Sequence, residues 1–157
     1  MSNTTKPQRN DSFVVYVFLL EDCPISEYYT LKLNELHENY CNNDIEFIGL
    51  FPNKISSKKR IQQFENEYSI QFELKTDYFQ KLTQKYQATV TPEIIVVNTT
   101  KDAVVYKGRI DNTFHALGQR RTITTTNELE EVLISIHANN ELEFTETKAV
   151  GCLIQLR

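Results

Sequence analysis

The sequence predicts an α/β domain built on a mixed central sheet with helices on both faces. Three observations carry this. Short apolar runs rich in β-branched and aromatic residues alternate with amphipathic helical stripes. Two late strands, Glu93 to Asn98 and Ala103 to Ile110, are separated only by the turn Thr99-Thr100-Lys101-Asp102 and so form a hairpin. The 157 residues are 40% hydrophobic and 24% charged, which suits one core in one domain. Strands separated by helices require parallel pairing, and the hairpin adds an antiparallel strand.

The elements follow in order. Residues 1–11 are polar and read as a solvated lead, 12–138 as the domain, and 139–157 as a tail carrying Cys152. Phe13 to Leu20 is continuously apolar and suits a central strand covered on both faces. Pro24 then stands where a first helical turn accepts proline. Ile25, Tyr29, Leu33, Leu36 and Tyr40 follow at helical spacing. Ile45 to Phe51 is a second strand, ended by Pro52 and Asn53. Ile61, Phe64 and Tyr68 mark a helix over Ser56 to Tyr68. Phe72 to Leu74 is a short strand, and Tyr78 to Tyr86 a short helix with Leu82 and Tyr86 inward. After the hairpin, Asp111 to Thr124 reads as a loop. Thr125 and Glu128 form a capping-box pair for a last helix that buries Leu129, Val132, Leu133 and Ile136. Only four glycines occur, so turns lean on Asn, Asp, Pro and Thr.

Charge and length exclude several functions. Seventeen basic against 21 acidic residues give a net charge of −4, which disfavours a nucleic-acid binder. The longest apolar run has eight residues, where a spanning helix needs about 20, so no membrane span is expected. Met1 to Asp11 holds no apolar signal core. The expected compartment is cytoplasmic, or periplasmic and cell-envelope if a leader has been removed ahead of Met1. The three cysteines, Cys23, Cys41 and Cys152, are an odd number with spacings of 18 and 111, which match no zinc pattern. No metal and no cofactor is expected.

Cys23 falls between the first strand and the first helix, in Glu21-Asp22-Cys23-Pro24-Ile25-Ser26. At a helix N-terminus the macrodipole and the unpaired first-turn N–H groups favour thiolate over thiol, and the thiolate is the nucleophile. Glu21 and Asp22 oppose this by adding nearby negative charge. An isolated cysteine at such a turn is otherwise a small inert residue. A second feature weighs against inertness: Val90-Thr91-Pro92-Glu93 directly precedes a buried strand. Proline there is either an edge starter or a cis-proline shaping a tight turn.

Strand, Cys-Pro-x-Ser and helix, followed 68 residues after Pro24 by Thr91-Pro92 and a hairpin, resemble the thioredoxin superfamily. More closely, the chain is similar to redoxin-domain proteins related to alkyl hydroperoxide reductase and thiol-specific antioxidant sequences, some of them fused to cytochrome c or copper monooxygenase modules. The residues carrying this are Cys23-Pro24-Ile25-Ser26, Thr91-Pro92-Glu93, Tyr106 to Asp111, Leu117 to Arg121, and Thr147 to Ile154 with its Gly151-Cys152. The resemblance implies a thioredoxin-like fold in which the cis-proline loop lies against the active cysteine and offers backbone groups to an extended substrate. It implies a thiol-dependent redox protein, a thiol-disulfide oxidoreductase or peroxiredoxin-like reductase. Cys23 is then the nucleophile and Pro92 shapes the groove. Ser26 donates a hydrogen bond to the thiolate, and Pro24, Thr91, Glu93 and Arg109 contact substrate. The partners are a disulfide-containing protein or a peroxide, and an external thiol reductant.

The chain departs from its relatives in three places. Ser26 replaces the second cysteine of a Cys-x-x-Cys motif, so no disulfide closes within the motif. Asp22 stands where many thioredoxins carry Trp. Leu20, three residues before Cys23, offers no side-chain donor where peroxiredoxins place Thr or Ser. Cys152 lies in the apolar tip Ala149 to Ile154, after about ten loosely structured residues that reach far at roughly 3.3 Å each. Either it docks near Cys23 and resolves its mixed disulfide or sulfenic acid, or the tip is a packed strand in which Cys152 is an anchor or a permanent bridge. Cys41, at the far end of the first helix, is roughly 25 Å from Cys23 by the helical rise and reads as structural.

The alternative function is a non-catalytic redoxin scaffold that handles copper or docks to a redox or cytochrome partner. Cys23, Cys152 and His115 would be its soft-ligand set. His37 and His137 read as solvent-facing helix residues, Tyr16 as core. Arg109, Arg120 and Arg121 read either as anion binders or as surface ion pairs.

Overall fold

The computed structural model describes residues 10–156. The first half runs β1 (Phe13–Phe18), α1 (Pro24–Tyr28), α2 (Thr30–Tyr40), β2 (Ile45–Phe51), α3 (Lys58–Glu67), β3 (Glu73–Thr76) and α4 (Lys81–Tyr86). The second half runs β4 (Val90–Thr91), β5 (Glu93–Asn98), β6 (Ala103–Gly108), β7 (Phe114–Ala116), β8 (Gln119–Arg120), α5 (Glu128–His137), β9 (Thr145–Glu146) and β10 (Cys152–Leu153). The main sheet has the order β3-β2-β1-β5-β6-β9. β1 pairs parallel with β2 and antiparallel with β5, so the central strand joins the parallel and antiparallel halves.

Alternation along the strands divides the core in two. Phe13, Val15 and Val17 of β1, Phe47 and Phe51 of β2, and Ile94 and Val96 of β5 face α1, α2, α3 and α5. Val14 and Phe18, Ile48 and Leu50, and Ile95 and Val97 point to the other face, where they meet Leu82 and Tyr86 of α4 and Ile154 of the tail. This period of two is what a strand buried on both faces requires. The thioredoxin-like arrangement, a mixed sheet with helices on both faces, is therefore the fold. No described helix is long and apolar enough to cross a membrane.

Several local expectations are corrected. β1 stops at Phe18, because Leu19 and Leu20 already turn toward Cys23, whose N–H donates to Leu20 O. The first helix is divided at Tyr29, yet Tyr29 N–H still donates to Ile25 O and Leu33 N–H to Tyr29 O. The short helix begins at Lys81, after Gln80 takes a left-handed conformation (φ 55°). α5 is not opened by a Thr125–Glu128 box. Asn127 is its N-cap, without a side-chain cap bond, while Thr125 Oγ1 accepts from Asn112 and Thr126 Oγ1 donates to Glu128. The Asp111–Thr124 segment contains the small hairpin β7–β8. His37 is half-buried against Phe47 and Phe72 rather than solvent-facing, and burial lowers its pKa. Cys41 is a free, exposed thiol at the end of α2 and packs no core.

Candidate redox site

Cys23 is the N-cap of α1, in extended conformation, and its carbonyl accepts the first helical hydrogen bond from Glu27 at 3.0 Å. Pro24 fills the first helical position, where its missing N–H costs nothing. Cys23 Sγ is fully buried and stands 3.3 Å from the carbonyl oxygen of Thr91. The Thr91–Pro92 peptide bond is cis. Glu93 holds this turn from below. Its Oε1 accepts from the N–H of Thr89 at 2.8 Å and of Val90 at 3.4 Å, and the residue is buried. Its placement suits a carboxylate that fixes the Val90–Pro92 backbone.

The tail reaches the same turn. Tyr106 OH, Arg109 N–H and Lys107 O engage Thr147 before the chain runs on to Gly151 and Cys152. β10 then pairs antiparallel with β4, Cys152 opposite Thr91. The sulfurs of Cys23 and Cys152 stand at disulfide distance, with Cα atoms 6.1 Å apart. Two of the four glycines permit this path. Gly108 has φ +147°, and a Cβ there would lie 2.9 Å from the Thr147 carbonyl carbon. At Gly151 a Cβ would lie 2.6 Å from the Thr91 carbonyl carbon, so any larger residue pushes the tail off the turn.

The remaining expected residues fall in different places. Ser26 is buried, and its hydroxyl accepts a hydrogen bond from Leu20 N–H at 3.3 Å. The Arg109 guanidinium is paired with Glu128. That pair holds the Glu128 carboxyl below its ordinary value, although burial acts the other way. His115 lies in the exposed β7–β8 hairpin and contacts Gln119 at 3.1 Å. Among the described residues no group of three His, Cys, Asp or Glu side chains is placed to hold a metal, so Cys23, Cys152 and His115 do not assemble.

One contributor was not legible in the sequence. Arg60 of α3 spans both carboxylates that precede Cys23: its Nε donates to Glu21 Oε1 at 2.8 Å and its Nη2 to Asp22. Ser56 Oγ adds a bond to Glu21 Oε2 at 2.6 Å. A single guanidinium between two carboxylates offsets part, not all, of the negative charge expected to oppose a Cys23 thiolate. Arg60 is 39 residues from Glu21 and belongs to no motif, so only the packing of α3 finds it. Gln80 and Asn53, which grip the tail beyond Cys152, gave no signal either.

Fold and cysteine pair together define a thioredoxin-like protein of thiol redox type. The AhpC/TSA family matches residues 3–113, more than half of the chain, and the chain belongs to that family. No curated protein matches it in sequence. Among solved structures it is similar to an uncharacterized conserved protein from Geobacillus kaustophilus. That match is 20% identical with a TM-score of 0.80, over 94% of this chain and 78% of the other. A hypothetical protein from Sinorhizobium meliloti is 16% identical with a TM-score of 0.79, over 92% and 80%. A secreted Mycobacterium tuberculosis disulfide oxidoreductase homologous to E. coli DsbE is 13% identical with a TM-score of 0.56, over 80% and 81%. At these identities the likeness is one of fold.

Proposed function

We propose that the protein is a thiol-disulfide redox protein in which Cys23 is the nucleophile and Cys152 the resolving thiol. The observation that carries this is the meeting of Cys23 and Cys152 on the Thr91–Pro92 turn, across 129 residues of sequence. In the reduced protein the Cys23 thiolate attacks one sulfur of a substrate disulfide, forms a mixed disulfide and expels the other sulfur as thiolate. The Cys152 thiolate then attacks the Cys23 sulfur, closes the internal disulfide and releases the second substrate thiol. Two electrons pass from the cysteine pair to the substrate, and an external thiol returns them. A peroxide enters the same cycle through a Cys23 sulfenic acid that condenses with Cys152 and loses water. The first turn of α1 favours the thiolate, and Arg60 offsets part of the opposing charge of Glu21 and Asp22. The Thr91 carbonyl favours the protonated thiol, as its acceptor. Pro92 and Thr91 shape the groove, with Pro24, Ser26, Glu93 and Arg109 as its supporting residues.

The test uses the Cys41→Ser background, which removes the exposed free thiol. Reduced protein is mixed with oxidised glutathione and weighed intact. The Cys152→Ser chain should accumulate one glutathione on Cys23, while the chain that keeps Cys152 passes on to its internal disulfide with no added mass. The Cys23→Ser chain should form no internal disulfide. Cys23 that stays unmodified in the folded Cys152→Ser chain would overturn the assignment.

A further inference from the structure

The tail occupies the free edge of β4 as an added strand. Cys152 lies opposite Thr91 and Leu153 opposite Val90. Ile154 N–H donates to Thr89 O at 2.9 Å, and Thr91 Oγ1 to Cys152 O at 3.4 Å. Strand addition draws affinity from backbone bonds and selectivity from alternate side chains. Both are present here. Leu153 is 77% exposed, whereas Ile154 is 6% exposed, seated among Phe18, Ile48, Leu50, Ala88 and Ile95. Gln155 N–H donates to Asn53 Oδ1 at 3.0 Å, and Gln155 O accepts from the buried Gln80 amide at 2.8 Å. Only a glycine fits against the Thr91 carbonyl at position 151. Each of these contacts reads a residue of an extended segment by size, polarity or backbone. Meanwhile Cys23 is 0% exposed, so nothing larger than the tail's own sulfur meets it while the tail is seated.

We propose that residues 151–155 are a self-ligand in a peptide groove. They yield it, once the Cys23–Cys152 bond opens, to an extended cysteine-bearing segment of a partner protein with glycine before the cysteine and an aliphatic residue two places after it. This rests on Cys23 being the nucleophile. An external thiolate attacks the half-buried Cys152 sulfur, Cys23 leaves as thiolate, and a second thiol completes the reduction of Cys152 and departs in a disulfide. The tail swings about residues 148–150, because Thr147 upstream is locked to Tyr106, Lys107 and Arg109. The Cys23 thiolate then attacks the partner's disulfide, forming a mixed disulfide and expelling the distal sulfur. Return of Cys152 onto the Cys23 sulfur releases the partner's thiol and reseats the tail, which displaces the product from β4.

The experiment uses the full chain with Cys41→Ser and Cys152→Ser, so that Cys23 is the one thiol. Adding Ile154→Ala should make Cys23 react with iodoacetamide about tenfold faster, by freeing the tail. Gly151→Ala, which removes no apolar anchor, should do the same, and circular dichroism checks that both variants stay folded. The peptide Ala-Val-Gly-Ser-Leu-Ile-Gln-Leu, titrated calorimetrically into the Ile154→Ala chain, should bind and slow the alkylation. Its analogue with alanine for glycine should bind about tenfold more weakly. A Cys23 that is alkylated at the same measurable rate with and without Ile154→Ala and Gly151→Ala, or equal binding of the two peptides, would overturn the proposal. Peptide binding with glycine selectivity but an inert Cys23 would support the groove and sink the nucleophile. Fast alkylation without peptide binding would do the reverse.

Discussion

The carboxylate of Asp111 is buried beside the α1–α2 junction, where it accepts hydrogen bonds from Tyr29 OH, Lys32 Nζ and the N–H of Thr113. Burial alone would raise its pKa, but the Lys32 ammonium, the Tyr29 hydroxyl and Thr113 outweigh it, and the net shift is downward. The same burial, reinforced by the Asp111 charge, holds the Tyr29 hydroxyl far above its ordinary value. A carboxyl that titrates lower in the folded chain than in the unfolded one stabilises above the unfolded value near pH 4, and that contribution is lost as the pH falls through the folded value. Asp111→Asn should therefore cost about 2–3 kcal/mol at neutral pH. Urea titrations of both chains at pH 7 and pH 3 check this: the gap between them should narrow at the lower pH. The sequence marks Asp111 only as the end of a motif block and the start of a loop. Its partners lie 82 and 79 residues away, and nothing in local pattern announces them.

At the scale of elements, amphipathic stripes decide where stability resides. Leu33 of α2 is 0% exposed and Leu31, two residues earlier, is 70% exposed. Leu33→Ala should cost about 2–5 kcal/mol through lost burial and a residual cavity. Leu31→Ala should stay within about 0.5 kcal/mol. Chemical denaturation of the two variants measures the contrast. The stripes of the first helix, of α3 and of α5 were all readable, because burial of one face imposes their spacing. The ends of elements were less so. β1 could have run to Leu20 on composition, yet the chain turns at Phe18 to set Cys23 at the head of α1. The cap of α5 went to Asn127 because Asn112 engages Thr125 and Thr126 from the preceding segment. The two-residue strands β4, β8, β9 and β10 carry no periodicity, since a pattern needs more positions than they have.

Across the whole molecule, the Cys23–Cys152 pair closes a loop of 129 residues. On a chain-entropy account such a cross-link contributes about 4–5 kcal/mol, mostly by restricting the unfolded chain. Urea unfolding with and without a reducing agent should show a lower midpoint in the reduced protein, and the Cys152→Ser chain should resemble the reduced one. Equal midpoints would mean that the pair does not constrain the unfolded chain.

The sequence by itself determined the α/β class, the order of the longer strands and the helices, the placement of Cys23 at a strand–helix turn, and the significance of Thr91-Pro92 ahead of a buried strand. These are local facts, set by periodicity, turn chemistry and residue type within a few positions of one another. Tertiary structure alone decided that Cys152 meets Cys23, that Arg60 pairs with both Glu21 and Asp22, that Arg109 faces Glu128, and that the tail fills the edge of β4. Each of those joins residues far apart in the chain, and each depends on how faces pack and which glycines allow close approach. No pattern along a single chain encodes such distances.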